Sequence, residues 1–251
     1  MASYDLLGNI ALVKFTRGVK LTAKKKWALS FLRKHKHVRT VLEKSDKISG
    51  RLRTPKTKII AGEKTKEVLY RENGCIFRFN VDTCYFSPRL SSQRKELALK
   101  TKKGENVLVM FGGVAPFAVV IAKLGKAKKV VSVELSKECN KYAKENVKRN
   151  KVAVELVQGN VRGKVGGKFD RVVMARPNLK DSFLDVGFRA AKKGGVIHYY
   201  GFYGADEKDK MLEMIKCEAE NAKRKIKVLK VKKAGEVGVR KFRFRVDLGV
   251  S

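Results

Sequence analysis

The chain has 251 residues, 59 of them Lys or Arg against 24 Asp or Glu, for a formal net charge of +35. A hydrophobic share of 43% can build a core, which excludes simple disorder, and 21 Gly without a triplet period exclude collagen. No apolar run reaches the roughly 18 residues of a membrane span, and the first residues lack the basic-then-apolar order of a secretion signal. The sequence therefore predicts a cytosolic protein with no membrane partner, and its charge points to a polyanion, nucleic acid above all.

In chain order, residues 10–15 alternate as a strand, and residues 24–37 form a basic helix with Trp27, Phe31 and Leu32 on one side. Residues 38–42 read as a strand or a helix end. Residues 58–61, 67–70 and 75–79 are strands, the last two joined by an Asn73-Gly74 turn. Near Ser91 the pattern changes. Helix is expected over 91–100, 118–124, 137–149, 183–192 and 207–223. Strand is expected over 107–111, 130–133, 154–158, 170–174 and 195–200, with a final antiparallel pair over 225–231 and 240–248. Alternating strand and helix argues a parallel, doubly wound sheet. The expected division is a basic α+β domain over 1–95 and a doubly wound α/β domain over 96–251.

Cys75, Cys84, Cys139 and Cys217 lie far apart without a C-x-x-C pair, so reduced thiols and no metal site are expected. His35-Lys36-His37 sits in a basic stretch, either solvated or facing phosphate. Residues 24–39 carry seven bases and no acid. Such a stripe can track an RNA backbone with aromatics available for stacking, or it is a solvated face with Trp27 and Phe31 in the core.

The strand over 107–111 runs into Gly112-Gly113, and Glu134 closes the next strand 21 residues after Gly113. Glycines there let a cofactor approach the backbone at a helix start, and a carboxylate there can accept both ribose hydroxyls of an adenosine. The bland alternative is a tight turn. A third glycine is missing, which disfavours a dinucleotide, and no P-loop occurs.

The run Tyr85-Phe86-Ser87-Pro88-Arg89-Leu90 is more specific. With Gly50-Arg51-Leu52-Arg53, Ile59-Ile60-Ala61-Gly62-Glu63 and Glu72-Asn73-Gly74-Cys75, it resembles the archaeal and eukaryotic tRNA (guanine-37 N1)-methyltransferase family, which includes archaeal wyosine-pathway enzymes. Met110 to Phe117, Glu145 to Asn150 and Gly194 to Tyr200 agree, so the resemblance runs from about Tyr4 to Val246. It implies a Rossmann-like class I methyltransferase sheet with an antiparallel edge strand, preceded by a smaller tRNA-binding α+β domain. It also implies S-adenosyl-L-methionine as cofactor, with methyl transfer to N1 of guanosine-37 or C7 of 4-demethylwyosine. Aminocarboxypropyl transfer from the same cofactor and a non-catalytic tRNA binder are the alternatives. Members usually carry a further N-terminal domain; this chain starts where their second domain does, so recognition is expected at the anticodon region. High like charge is expected to keep the protein monomeric.

Residue by residue, the resemblance puts Arg53 beside the target base and Gln93 at the general-base position. It puts Tyr85, Arg94, Phe111, Gly113, Glu134, Leu135, Asn160, Val161, Ala175 and Pro177 around the cofactor. The chain departs from the family where Gln93 replaces a Glu, Ala175 the Asn of an Asn-Leu-Pro loop, Val109 an Asp and Asn160 an Asp. An amide cannot take the guanine N1 proton.

Overall fold

The chain folds as two compact units, Met1–Pro88 and Arg89–Ser251. The computed structural model describes residues 2–49, 54–238 and 240–251, apart from the side chains of 45–49 and 54–55. Arg53 and its neighbours Gly50, Arg51 and Leu52 lie outside the described residues.

In the first unit, β1 (Ala2–Leu7) and β2 (Ile10–Phe15) pair antiparallel. Their turn needs glycine: Gly8 has φ 56°, and a Cβ there would sit 2.0 Å from the Leu69 carbonyl oxygen. Helix α1 (Leu21–Lys34) crosses to β3 (Thr40–Ser49), which runs parallel to β2, and β4 (Thr54–Gly62) returns antiparallel. The sheet order is β1-β2-β3-β4. Ala28 and Phe31 of α1 are buried with Ala11, Val13, Val41 and Ile60. A separate hairpin joins β5 (Glu67–Glu72) to β6 (Cys75–Asn80). Asn73 (φ 49°) and Gly74 (φ 70°) make the expected turn, with two positive φ angles that suit the strand twist.

The second unit opens with one turn of 3-10 helix (Pro88–Leu90) into α2 (Ser91–Lys100). Then β7 (Asn106–Met110), α3 (Pro116–Leu124), β8 (Lys129–Glu134), α4 (Lys137–Asn150) and β9 (Glu155–Gln158) alternate. A short α5 (Val161–Lys164), β10 (Phe169–Met174), α6 (Leu184–Ala190), β11 (Ala191–Gly204) and α7 (Lys208–Asn221) follow, closed by β12 (Ile226–Gly238) and β13 (Lys241–Val250). The sheet order is β12-β13-β11-β10-β7-β8-β9, parallel except where β13 runs antiparallel to β11 and β12. This is the doubly wound sheet expected from the alternation, with the antiparallel pair at its edge.

Strand residues alternate between two faces. Leu108, Met110, Met174, Ile197, Tyr199 and Val246 pack with residues of α6 and α7 in one core. The alternate positions of β10, β11 and β13 hold Arg171, His198, Arg245 and Asp247, all buried. That second face is thus apolar at Val107 and Val109 of β7 and polar toward β13.

The departures from sequence expectation are local. Helix α1 starts at Leu21 and stops at Lys34, where the His35 N–H bonds the Phe31 carbonyl as a cap. Residues 38–42 belong to a strand that continues to Ser49. Strand β1 has no apolar alternation to signal it; it is an edge strand with residues 3–6 exposed, held by its ladder to β2.

Candidate functional site

The C-terminal ends of β7, β8, β9 and β10 bring most of the expected cofactor residues to one edge of the sheet, where ligands of open α/β folds sit. After β7 the backbone is unusual: Phe111 (φ 60°), Gly113 (φ 55°) and Ala115 (φ 64°) are all left-handed before Pro116 opens α3. Gly112 lies so close to β8 that a Cβ would meet Ser132 Oγ at 2.1 Å. The loop is tied to Glu134. The Gly113 N–H donates to Glu134 Oε2 at 2.8 Å, and the Ser136 N–H to Oε1 at 2.7 Å. Each oxygen has accepted once, and a carboxylate offers about four acceptor positions. Glu134 is therefore oriented and still able to accept two further donors, as a ribose diol requires. Beside it Leu135 leaves 39% of its surface exposed. The exposed Asn160 caps α5 by accepting from the Arg162 N–H at 3.1 Å, and Val161 is buried beneath. This acceptor set and apolar edge fit an adenosine.

The half-buried Ala175 and Pro177 lie just after β10. Between them Arg176 is buried and braces its own loop, donating to the carbonyls of Leu179 and, at 2.6 Å, of Asp181. Arg162 holds the same loop through side chains, at 2.7 Å to Asp181 Oδ2 and 2.6 Å to Asp185 Oδ2. Burial raises the affinity of Asp181 for a proton, but the Arg162 hydrogen bond and the Phe183 N–H outweigh it and hold the carboxyl below its ordinary range. The Arg162 guanidinium also covers Phe183 at 4.9 Å, and Phe183 meets Phe111 edge to face at 5.1 Å. Sequence reading missed Arg162, Arg176 and Phe183; for Arg162, partners 19 and 23 residues away leave no periodic trace.

Gln93 and Arg94 sit on α2, and both are buried. The Arg94 guanidinium covers the ring of Phe117, in the first turn of α3, at 5.7 Å. Tyr85, half exposed, lies three residues before the end of the first unit at Pro88. Gln93 is 3% exposed and its Oε1 accepts from Arg245 Nη1 at 2.7 Å. A guanidinium can only donate, so this bond fixes the amide's orientation and leaves its NH2, a donor, for any other partner.

Arg245 is 0% exposed and also donates to Glu96 at 2.6 Å and Asp247 at 3.2 Å. The chain continues from Asp247 to His198 Nδ1 at 2.7 Å, from His198 Nε2 to Arg171 Nη1 at 2.7 Å, and from Arg171 to Glu105 at 2.8 Å. Arg171 cannot accept, so Nε2 must; His198 is the neutral tautomer that donates from Nδ1 to Asp247. Burial, helped by Arg171 and Arg245, lowers the His198 pKa accordingly. The Arg245 hydrogen bond holds Glu96 far below the carboxylate range. Burial alone would raise Asp247; the His198 bond and the charges of Arg245 and Lys100 bring it down to about 2. Among the described residues no group of three or more His, Cys, Asp or Glu could hold a metal ion.

The chain is similar to known proteins over nearly its whole length. The TRM5/TYW2 methyltransferase domain matches residues 68–229, and the TYW2 N-terminal domain matches residues 1–65. The tRNA (guanine(37)-N(1))-methyltransferase Trm5b of Pyrococcus abyssi is 36% identical over 99% of this chain and 75% of its own length. Its crystal structure superimposes with a TM-score of 0.90, at 35% identity over 99% of this chain and 75% of that one. The tRNA (guanine(37)-N(1))/4-demethylwyosine(37)-methyltransferase Taw22 of Nanoarchaeum equitans is 31% identical over 98% of this chain and 99% of its own. The complex of aTrm5 with tRNALeu gives a TM-score of 0.86 at 25% identity, over 99% of this chain and 72% of that one.

Two outcomes follow from these contacts. Asp247 titrates near 2 in the folded chain against about 3.9 unfolded, so its roughly 2 kcal/mol of stabilisation is full above pH 4 and lost as pH falls through 2. Urea unfolding followed by circular dichroism should show Asp247→Asn less stable than the parent at pH 7, with the gap closing below pH 3. Arg162→Ala should weaken S-adenosylmethionine binding about tenfold in a calorimetric titration, by freeing the loop that carries Pro177; unchanged affinity would contradict the brace.

Proposed function

Since the chain belongs to the TRM5/TYW2 methyltransferase family, we propose that it methylates the base at position 37 of tRNA from S-adenosylmethionine, and that it prefers C7 of 4-demethylwyosine to N1 of guanosine. The cofactor, when bound, supplies an electrophilic methyl group on a sulfonium, which leaves with its bonding pair returning to sulfur. Glu134 would accept the ribose hydroxyls, Leu135 and Val161 would flank the adenine with Asn160 at its edge, and Phe111, Gly113, Ala175 and Pro177 would line the methionine side. Arg94 would complete the pocket, and the family resemblance alone assigns Tyr85 to the cofactor and Arg53 to the target base. A surplus of 35 positive charges suits the tRNA backbone.

One observation carries the preference for the tricyclic base. The side chain at position 93 is an amide whose oxygen is held by Arg245. N1 of guanosine bears a proton and must lose it as it attacks. The free half of Gln93 is a donor and cannot take that proton. A ring carbon attacks with its π electrons, and its proton leaves only after the new carbon–carbon bond has formed, so it can pass to water. Gln93 is thus a positioning residue that keeps Arg245 in place.

Incubation with S-adenosylmethionine and two tRNAs, one with unmodified G37 and one carrying 4-demethylwyosine, tests this by nucleoside mass spectrometry. The expected result is a methyl gain on the tricyclic base at least about a hundredfold faster than on G37, the lower end of the range lost with a general base. An equal or faster gain on G37 would overturn the preference. An aminocarboxypropyl mass would overturn methyl transfer, and no gain on either tRNA would overturn the enzyme reading.

A further inference from the structure

We propose that the C-terminal end of α1 is a stacking platform for an unpaired nucleotide of the tRNA, an inference that rests on the tRNA substrate proposed above. Trp27, Phe31 and His35 follow one another at helical spacing and form a ladder of near-parallel rings. Trp27 and Phe31 are 4.9 Å apart at 23°, and Phe31 and His35 4.1 Å apart at 28°. The inner rungs belong to the core: Phe31 is buried, and Trp27 meets Phe15 edge to face at 5.5 Å. The outer rung does not. His35 is half-buried at the helix cap, with the exposed His37 edge-on at 6.1 Å. Tyr4, on edge strand β1, meets Phe31 edge to face at 4.9 Å and lies 6.4 Å from His35, yet keeps 47% of its surface exposed.

The charge around this ring matches RNA. Residues 24–39 contain no acid. Lys24 reaches Glu43 at 2.5 Å and Arg39 lies 3.6 Å from Glu63, but Lys25, Lys26, Arg33, Lys34 and Lys36 have no acidic partner among the described residues. A π face beside unpaired cations is what single-stranded RNA engages, with bases on aromatic rings and phosphates on lysines. Tyr4 is exposed and His35 half-buried, and both lie among cations that have no acidic partner among the described residues.

Trp27 is the only tryptophan in the chain and sits two rungs from His35, so it reports on the platform through the ladder. The full chain is titrated with tRNA, with filter retention and Trp27 emission read in parallel at several salt concentrations. Binding should change Trp27 emission. His35→Ala and Tyr4→Ala should each weaken retention about tenfold with the salt slope unchanged, within the range for losing one stacked base. The double variant Lys34→Gln/Lys36→Gln should instead lower the slope by about one to two. His35→Phe should retain parental affinity because it keeps the ring face, and this separates stacking from loss of fold. Parental retention by His35→Ala and Tyr4→Ala, or equal losses in His35→Ala and His35→Phe, would overturn the platform while leaving the tRNA substrate intact. No retention of tRNA by the parent protein would overturn the substrate reading itself.

Discussion

Arg245 carries a full positive charge with no access to water, and such a charge persists only where several acceptors meet it. Gln93 and Glu96 meet it from α2, Asp247 from its own strand. The same acceptors extend the contact through His198 and Arg171 to Glu105, ahead of β7. The first helix of the second unit is thereby joined to strands β10, β11 and β13. Removing any one member would leave a buried group without its partner, which costs more than the bond contributed. The network also has a chemical consequence, because it decides which end of the Gln93 amide is engaged.

The cofactor edge is built on a different principle. Its left-handed turns and close glycine follow from the approach of the loop to β8, and Glu134 is aligned by backbone N–H groups rather than by another charge. Arginines secure the far wall instead: Arg176 on main-chain carbonyls, Arg162 on the two carboxylates of Asp181 and Asp185. In this strongly basic chain, scarce acids are spent where geometry matters. Glu96 meets Arg245, Lys100 and Lys232, and Asp181 meets Arg162.

The sequence made the doubly wound sheet legible because its central strands are short apolar runs set between amphipathic helices. The Asn73-Gly74 hairpin was legible for the same local reason, a turn that only certain residues accept. What local pattern could not show is anything held by distant partners. Gln93 and Arg245 are 152 positions apart, and the one signal at Gln93 was its departure from a resembled motif. Strand β1 exposes four consecutive residues and so has no alternation to read. The aromatic side of α1 was legible as a choice between core and stacking surface for Trp27 and Phe31, and the structure packs both against the core, Phe31 buried and Trp27 partly buried.

The central claim is that the residue at position 93 selects the acceptor atom. Gln93→Glu tests it most directly. A glutamate can keep one oxygen on Arg245 and present the other as an acceptor where the amide now presents a donor. With G37 tRNA and 4-demethylwyosine tRNA assayed side by side, the variant should gain at least several-fold in guanosine methylation, toward the 10²–10⁴-fold typical of a general base. Its rate on the tricyclic base should stay within about twofold, since that proton leaves after the bond is made. A guanosine rate no higher than that of the parent protein would contradict the account.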